Sequence, residues 1–217
     1  MLPFLNRTEA GRALAKALPH HAGRADVIVL ALPRGGVPVA FEVAGGLDAP
    51  LDLMLVRKLG TPGQEELAMG AVAQNGVRVI NPDVVKTLRI SEDVIVAVER
   101  REIRELERRL RAYRGNRPAP ELRDKRVILI DDGLATGATM RSAIQAARAK
   151  APAMVVVAVP VAPEDTVTTL KQEADEVVCL AVPEPFVAIG RWYVEFSQTS
   201  DAEVKDLLAR AWHEEKA

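Results

Sequence analysis

The stretch Arg126–Met140, RVILIDDGLATGATM, decides the fold. It begins with an apolar run, Arg126–Ile130, continues with two acidic residues and a loop of small residues, and leads into a predicted helix at Thr139–Lys150. The apolar run lacks the polar alternation of a half-exposed strand, which is typical of a strand covered on both faces of a parallel sheet. A strand, a loop and a helix in this order form one unit of an α/β fold.

The same alternation of strands and helices runs along the rest of the chain. Apolar strands are predicted at Asp26–Leu32, Leu51–Val56, Met154–Val159 and Glu176–Leu180. Helices are predicted at Thr8–Leu18, Pro38–Ala44, Ser91–Arg114, Glu164–Ala174 and Ser200–Trp212. The pair Asn75-Gly76 between two apolar segments predicts a β-hairpin. We therefore expect an α/β fold with a mostly parallel twisted sheet, helices on both faces and a small hood or lid.

Length and composition favour a single domain. The chain has 217 residues, of which 48% are hydrophobic, enough to bury one continuous core. We expect one domain over residues 1–217, with a core at about 25–182, an inserted long helix at 91–114, and a C-terminal segment, 183–217, that forms a hood or a helix.

Charge and cysteine usage exclude several classes of function. The 30 acidic and 29 basic residues nearly cancel, so no global basic field for nucleic acid exists. The single cysteine, Cys179, excludes internal disulfides and a multi-cysteine metal site, and the three histidines show no metal-ligand spacing. The charged N-terminal stretch is unlike a signal peptide, and no apolar run is long enough to span a membrane. We expect a cytoplasmic protein without membrane partners.

The loop after Ile130 combines two opposite chemistries. Gly137 and its small neighbours let backbone N–H groups approach an anion, Thr136 and Thr139 add hydroxyl donors, and the next helix directs its positive end to the same place. These features suit a phosphate monoester.

The carboxylates of Asp131 and Asp132 suit vicinal hydroxyls or a hard divalent cation. No Walker lysine follows Gly137 and no G-x-G-x-x-G occurs, which disfavours a P-loop nucleotidase and a dinucleotide-binding enzyme. An acidic turn that only caps a helix is the plainer alternative.

At these residues the sequence resembles a known family. The pattern Asp131-Asp132-x-x-Ala135-Thr136-Gly137-x-Thr139 is similar to the ribose-phosphate signature of type I phosphoribosyltransferases, closest to the adenine-using members. The resemblance implies that Asp131 and Asp132 hold the ribose hydroxyls, with Mg²⁺ bound through the ligand and, as an option, through the same two carboxylates. It also implies that the 5-phosphate is bound by Ala135, Thr136, Gly137, Ala138 and Thr139.

Two further segments resemble loops of the same family. Leu32–Gly36 (LPRGG) resembles the pyrophosphate loop, which implies that Arg34, Gly35 and Gly36 bind the diphosphate. The polar segment Arg57–Glu66 resembles the approach to a flexible lid, and this implies catalytic roles for Arg57 and Lys58 on the departing pyrophosphate. Because all three loops follow strands of one sheet, we expect them to converge on one crevice. A plain turn and a solvated surface loop are the alternatives.

The acceptor site is the weakest part of the sequence interpretation. Aromatic residues, only 4% of the chain, concentrate at Phe186, Trp192 and Tyr193, which could stack on a flat acceptor ring in a hood. They could equally complete a core or an oligomer interface. In hypoxanthine–guanine members the position of Ala135 carries an acidic residue, so this chain departs from the pattern for 6-oxopurine acceptors.

The resemblance implies a Mg²⁺-dependent phosphoribosyltransferase that uses 5-phosphoribosyl-1-pyrophosphate and a nitrogen acceptor, with a nucleobase favoured and a non-nucleobase amine as a further option. It also favours a homodimer or higher oligomer. A different class remains open, namely a regulator with little catalysis that senses the donor or nucleotides and uses an arginine-rich helix for RNA or for another partner. Its candidate surface is Glu99–Arg117, with eight arginines against four glutamates, although a solvated, ion-paired helix or a dimer contact explains that composition more simply. Nucleic acid is therefore not the expected partner.

Overall fold

A computed structural model describes residues 3–214, apart from the side chains of Glu66, Asn75 and Glu214. The strands are β1 (Val27–Ala31), β2 (Leu51–Leu53), β3 (Val56–Thr61), β4 (Gln64–Ala73), β5 (Arg78–Ile80), β6 (Arg126–Ile130), β7 (Met154–Val161) and β8 (Glu176–Ala181). The α-helices are α1 (Arg7–Lys16), α2 (Gly36–Leu47), α3 (Pro82–Thr87), α4 (Glu92–Arg114), α5 (Ala138–Arg148), α6 (Glu164–Leu170) and α7 (Asp201–Glu214). No helix in this described part has the length and apolarity to cross a membrane.

The main sheet has five parallel strands in the order β2-β1-β6-β7-β8. Alternate residues of each strand point to opposite faces, as strand geometry requires. Val29 and Ile128 belong to a core cluster with α1, α2 and α7, whereas Leu30 and Leu129 belong to a second cluster with α5 and α6. The predicted α/β fold, with helices on both faces of a parallel sheet, is confirmed.

A second, antiparallel sheet of three strands, β3-β4-β5, lies beside α4. Its apolar face, with Leu59 and Met69, packs against Ile95 of α4. The prediction that Arg57–Glu66 is a polar loop is wrong, because these residues form the hairpin of β3 and β4 around Pro62-Gly63. Gly63 has φ 78°, the left-handed conformation that glycine adopts in such turns. The Glu66 side chain lies outside the described residues.

Other element boundaries also differ from the sequence prediction. Leu51–Val56 is not one strand, since β2 ends at Leu53 and the chain then enters the second sheet. The predicted hairpin at Asn75-Gly76 exists between β4 and β5, but its turn is a short 3₁₀ turn over Gln74–Gly76. The long helix ends at Gly115, with φ 60°, as expected for a C-terminal cap. The Ser200 hydroxyl accepts the Glu203 N–H at 3.1 Å, which provides one half of the predicted capping box.

A buried ion pair fastens the end of α4 to the main sheet. The Asp52 Oδ1 atom lies 3.1 Å from Arg114 Nε and 2.5 Å from Nη2, and the two side chains are 4% and 7% exposed. Burial raises the pKa of Asp52, although the Arg114 guanidinium acts in the opposite direction. The carboxylate is therefore tolerated in this place mainly because its partner is present.

We expect Arg114→Met to lower the free energy of unfolding by about 3 kcal/mol at neutral pH, since Asp52 would stay buried without its principal counter-charge. Denaturant unfolding measures this loss. Arg111→Met, the same substitution at an exposed position of the same helix, is the control and should change stability by less than about 0.5 kcal/mol. Equal losses in the two variants would contradict the interpretation.

Candidate functional site

Two of the three predicted loops meet at the carboxyl ends of the neighbouring strands β1 and β6. The Leu32 N–H donates to the Ile130 carbonyl at 2.8 Å. A Cβ added to Gly36 would lie 2.7 Å from that same carbonyl oxygen, and one added to Gly35 would overlap the Asp132 carboxylate. Glycine is therefore required at both positions, because the backbone of the Pro33–Gly36 loop passes directly over the acidic pair. The Pro33–Arg34 peptide bond is cis.

The loop before α5 is open to solvent and has the geometry of an anion-binding turn. Gly137 is the N-cap of α5 and has φ 68°, a conformation suited to glycine. Thr136 and Thr139 are exposed beside it, so their hydroxyls and the free N–H groups of the first helical turn are accessible. The arrangement can bind a phosphate.

Thr166 of α6 supports this loop from below, a role that no sequence pattern indicated. It is buried, and its hydroxyl donates to the Ala135 carbonyl at 2.7 Å. A Cβ on Gly137 would come within 2.8 Å of the Thr166 methyl group, so the two residues are in close contact. Thr166 thus holds the loop in a fixed position relative to α6.

The carboxyl groups of Asp131 and Asp132 lie next to each other at the end of β6. The Asp132 N–H donates to Asp131 Oδ1 at 2.9 Å. Burial raises the pKa of both carboxyls, and the neighbouring Asp132 charge raises that of Asp131 further. Two acids that share one buried site release their protons as a coupled pair, and a bound cation would favour the ionised form.

Arg7, the first residue of α1, supplies a positive charge to this acidic pair. Its Nε atom lies 2.7 Å from Asp132 Oδ2, in a pair whose side chains are only 12% and 11% exposed. Its Nη1 atom donates to the Ser197 carbonyl at 2.7 Å, and the guanidinium lies 4.0 Å from the centre of the Phe196 ring. Sequence reasoning missed Arg7, since it lies 125 positions from its partner in the chain.

Tyr193 also holds the acidic segment in place. Its hydroxyl donates to the Asp132 carbonyl at 2.6 Å, and its ring lies 5.7 Å from that of Phe4 and 4.9 Å from that of Phe196, centre to centre. The residue is 6% exposed, so its ring has no free face for a ligand. We therefore correct the assignment of Tyr193 as an acceptor-stacking residue, because its ring completes a small core beneath the site.

The two other aromatic candidates lie in the same C-terminal segment. Trp192 closes the 3₁₀ turn Ile189–Trp192 and is partly buried, and Phe186 is partly exposed. This segment packs beside the acidic loop, since a Cβ on Gly133 would lie 2.6 Å from Ile189 Cγ2. Acceptor stacking by Phe186 or Trp192 stays a prediction.

Arg57 reaches the site from β3. A cavity of about 40 Å³ is lined by residues of the pyrophosphate-type loop, β3, α4 and the phosphate-type loop, among them Arg34, Arg57, Arg109 and Thr139. Glu102 of α4, 8% exposed, holds Arg57 through Nη2 at 2.6 Å. Residues of all three predicted segments thus line one cavity, and Arg57 is the residue that the third segment contributes. Lys58, the next residue of β3, is exposed and does not line this cavity.

Two histidines meet one glutamate at the opposite end of the sheet. Nε2 of His20 lies 3.0 Å and Nε2 of His21 lies 3.1 Å from carboxylate oxygens of Glu176, the first residue of β8. This proximity was not visible in the sequence spacing. Burial lowers the pKa of His21. Because parallel strands place their carboxyl ends at the other edge, this cluster is separate from the loops described above.

The fold and these loops define an α/β protein with a glycine-capped helix N-terminus and an acidic pair at the carboxyl edge of a parallel sheet. The family model of the phosphoribosyl transferase domain matches residues 5–197. The chain belongs to this family, and the predicted membership of the type I phosphoribosyltransferases is confirmed.

Similar proteins agree with this membership. Two curated relatives from Mycobacterium tuberculosis, named "Putative phosphoribosyl transferase MT0597" and "Putative phosphoribosyl transferase Rv0571c", are each 51% identical over 208 residues, which is 96% of this chain and 47% of the relative. The chain therefore spans about half the length of these relatives. TT1426 from Thermus thermophilus has a TM-score of 0.85 at 41% identity, covering 96% of this chain and 99% of that one. AQ2163 from Aquifex aeolicus has a TM-score of 0.51 at 12% identity, covering 85% of this chain and 78% of that one. This likeness shows a shared fold alone.

We expect Arg7→Met to lower the free energy of unfolding by about 3 kcal/mol at pH 7, because the buried Asp132 loses its counter-charge. The pKa of Asp132 is already raised by burial and rises further without Arg7, so the folded variant favours the protonated acid. Below the unfolded pKa of about 4 the carboxyl is protonated in both states, and the charge penalty disappears. The stability gap to the parent should therefore narrow as the pH falls from 7 to 4.

Denaturant unfolding at several pH values checks this dependence. Arg12→Met is the matched control, since Arg12 lies on the same helix in an exposed pair with Glu42. If the difference in unfolding free energy between the parent and Arg7→Met is the same at pH 7 and pH 4, Arg7 does not act by stabilising the charge of Asp132.

Proposed function

We propose that the protein transfers the 5-phosphoribosyl group from 5-phosphoribosyl-1-pyrophosphate to a nitrogen atom of an acceptor, with release of pyrophosphate. The observation that carries this proposal is the joint placement, at one sheet edge, of an open, glycine-capped helix N-terminus and a carboxylate pair made of the partly buried Asp131 and the buried Asp132. One ligand with a phosphate at one end and ribose hydroxyls at the other would satisfy both. Membership of the phosphoribosyl transferase domain family supports the same class of reaction.

The 5-phosphate would bind over Ala135, Thr136, Gly137, Ala138 and Thr139. Backbone N–H groups of the first turn of α5 would donate to its oxygens, and the hydroxyls of Thr136 and Thr139 would add two donors. Because Thr166 fixes the loop through the Ala135 carbonyl, the donors are arranged before the ligand arrives. Little ordering of the loop would then oppose binding.

The diphosphate would bind along the Pro33–Gly36 loop. The backbone of Gly35 and Gly36 lies directly against the acidic pair, so a diphosphate on this loop would lie next to Asp131 and Asp132, and Arg34 would supply positive charge. Arg57, held by Glu102, would stabilise the negative charge that develops on the leaving group. Lys58 remains a candidate for the same role, but its exposed position on β3 makes it the weaker of the two.

The acidic pair would hold the sugar. Asp131 and Asp132 would accept hydrogen bonds from the 2- and 3-hydroxyls and favour positive charge on the ribose ring. Their oxygen ligands also suit Mg²⁺, which prefers carboxylates and phosphate oxygens. Asp132 is already neutralised by Arg7, so Asp131 is the better candidate for contact with the cation. Bound Mg²⁺ would supply charge neutralisation to the diphosphate.

The reaction would break the bond between C1 and the diphosphate oxygen and form a bond between C1 and the acceptor nitrogen, with inversion at C1. The ring would pass through a state with oxocarbenium character, so the chain's contribution is positioning and charge rather than a covalent intermediate. Alanine at position 135 cannot serve a purine N7 as an acid would, which places 6-oxopurine acceptors in doubt. Phe186 and Trp192 are the remaining aromatic candidates for a nucleobase.

The alternative function is a regulator that senses the donor. If this regulator bound RNA, the arginines of α4 would be the candidate contact surface. Arg101 pairs with Glu102, while Arg108 and Arg109 both pair with Glu105. These pairs reduce the charge available to a phosphate backbone, in keeping with an ion-paired helix. Donor binding without turnover across a panel of nucleobases would favour the regulator, and steeply salt-dependent RNA binding would add direct support.

We expect the protein with Mg²⁺ and donor to release pyrophosphate with at least one nitrogen acceptor, and Asp132→Asn to reduce turnover by at least about 100-fold. Steady-state pyrophosphate release measures the rate, and circular dichroism checks that the variant folds. Full activity in Asp132→Asn would contradict the assignment of the acidic pair.

We expect Thr139→Val to weaken donor binding about tenfold, because one hydrogen bond to a charged phosphate is lost. Calorimetric titration with donor and Mg²⁺ measures the affinity. Ser142→Ala is the matched control. Ser142 lies about one helical turn after Thr139 in α5, and its hydroxyl donates to the Ala138 carbonyl. Donor affinities that fall equally in both variants would argue against a specific phosphate contact by Thr139.

A further inference from the structure

We propose that His20, His21 and Glu176 form a binding site for a divalent transition-metal ion, with zinc as the best-matched ion. One nitrogen of each histidine and a carboxylate oxygen of Glu176 all lie within 4.8 Å of one another. Two imidazoles and one carboxylate are an established set of zinc ligands in proteins. The cluster lies at the edge of the sheet opposite the acidic pair, so this inference does not depend on the proposed function.

The spacing of the ligand atoms fits a metal ion. His20 Nε2 lies 3.0 Å from Glu176 Oε1, and His21 Nε2 lies 3.1 Å from Oε2. In a tetrahedral zinc site with bonds of about 2.0–2.1 Å, neighbouring ligand atoms are about 3.3 Å apart. Small outward shifts of the three side chains would therefore admit the ion between them.

Metal binding changes which ring nitrogen of each histidine carries the proton. Each Nε2 would give its lone pair to the ion, and the proton of the neutral imidazole would be on Nδ1. Nδ1 of His21 is buried and has no hydrogen-bond partner among the described residues. The metal-bound tautomer of His21 therefore breaks no hydrogen bond at Nδ1.

Two of the three ligands are held by the fold before an ion arrives. The His21 side chain is 0% exposed, and its backbone N–H donates to the Leu18 carbonyl at 3.0 Å within the turn that contains both histidines. Glu176 is the first residue of β8 and pairs with Val156 of β7. Binding would mainly order the His20 side chain, which keeps the entropic cost of binding low.

His20 and Glu176 give the site its access to solvent. Their side chains are 55% and 23% exposed, whereas His21 forms the buried wall. Three protein ligands leave one of the four tetrahedral positions for water. We therefore expect an ion that exchanges with solution.

The ligand atoms favour a transition metal over Mg²⁺. Imidazole nitrogen suits zinc, copper and nickel, whereas Mg²⁺ prefers oxygen ligands. Glu176 supplies a negative charge to the ion. Arg126 is a cation that acts on His21, but its Nε atom lies 3.4 Å from Asp26 Oδ2, which offsets its charge. The ion bound here would thus differ from the Mg²⁺ of the proposed reaction.

A bound ion would connect the turn after α1 to the edge strand β8. Glu176 lies 155 positions from His21 in the chain, so the unfolded polypeptide does not hold the three ligands together. An ion that binds the folded chain preferentially stabilises it. Zinc should therefore raise the Tm of the parent protein.

Calorimetric titration of the metal-free protein with zinc chloride, in a large excess of Mg²⁺, tests the site. We expect one equivalent of zinc to bind. His20→Ala removes an exposed ligand and should weaken zinc binding about tenfold or more. Glu176→Gln keeps a hydrogen-bond acceptor for the histidines but removes the charge, and should weaken binding by a similar factor. His213→Ala, at an exposed position of α7, is the control and should keep the parental affinity.

Thermal unfolding with and without zinc gives a second readout. The rise in Tm should be present in the parent and in His213→Ala, and absent in His20→Ala. No saturable zinc binding by the parent at concentrations up to about 100 μM overturns the proposal. Parental zinc affinity in both His20→Ala and Glu176→Gln overturns it too, because the ion would then bind elsewhere.

Discussion

The structure depends on keeping two adjacent carboxyl groups ionisable at the buried end of a strand. Burial raises the pKa of both Asp131 and Asp132, so the fold must supply compensation. That compensation comes from the Arg7 guanidinium on Asp132 and from the Asp132 N–H on Asp131, while the Tyr193 hydroxyl holds the same segment through the Asp132 carbonyl. The site is therefore made by segments far apart in sequence, held by charge and hydrogen bonds as much as by apolar packing.

Helix α4 unites the two sheets. Its apolar face covers the antiparallel strands, its last residue, Arg114, forms the buried pair with Asp52, and Glu102 orients Arg57 towards the loops. An arginine-rich helix thus has its cations assigned to separate structural tasks. Its composition alone does not distinguish a nucleic-acid surface from an ion-paired helix, and the pairs of its arginines with Glu102 and Glu105 favour the ion-paired helix.

The sequence predicted the parallel sheet, its flanking helices and the acidic and glycine-containing loops, because each depends on local patterns such as the apolar run Arg126–Ile130. It could not predict partners created by tertiary contact, such as Arg7 with Asp132 or Arg57 with Glu102. The hairpin at β3 and β4 was misread as a loop, since polar residues and Pro62-Gly63 concealed its alternation. Tyr193 was misassigned because aromatic content does not distinguish a ligand platform from a small core.

The bridge between Phe4 and Tyr193 has a dynamic consequence. The Phe4 N–H donates to the Trp192 carbonyl and the Phe4 carbonyl accepts the Val194 N–H, both at 2.8 Å, so the segment around Phe4 and the segment 192–194 are joined as a short ribbon. Fraying of that ribbon would release Arg7 and Tyr193 together, as one local unfolding unit. Amide exchange near Asp132 would then report on the opening of this contact, and the rigidity of the carboxyl edge of the sheet would depend on segments that lie outside the sheet.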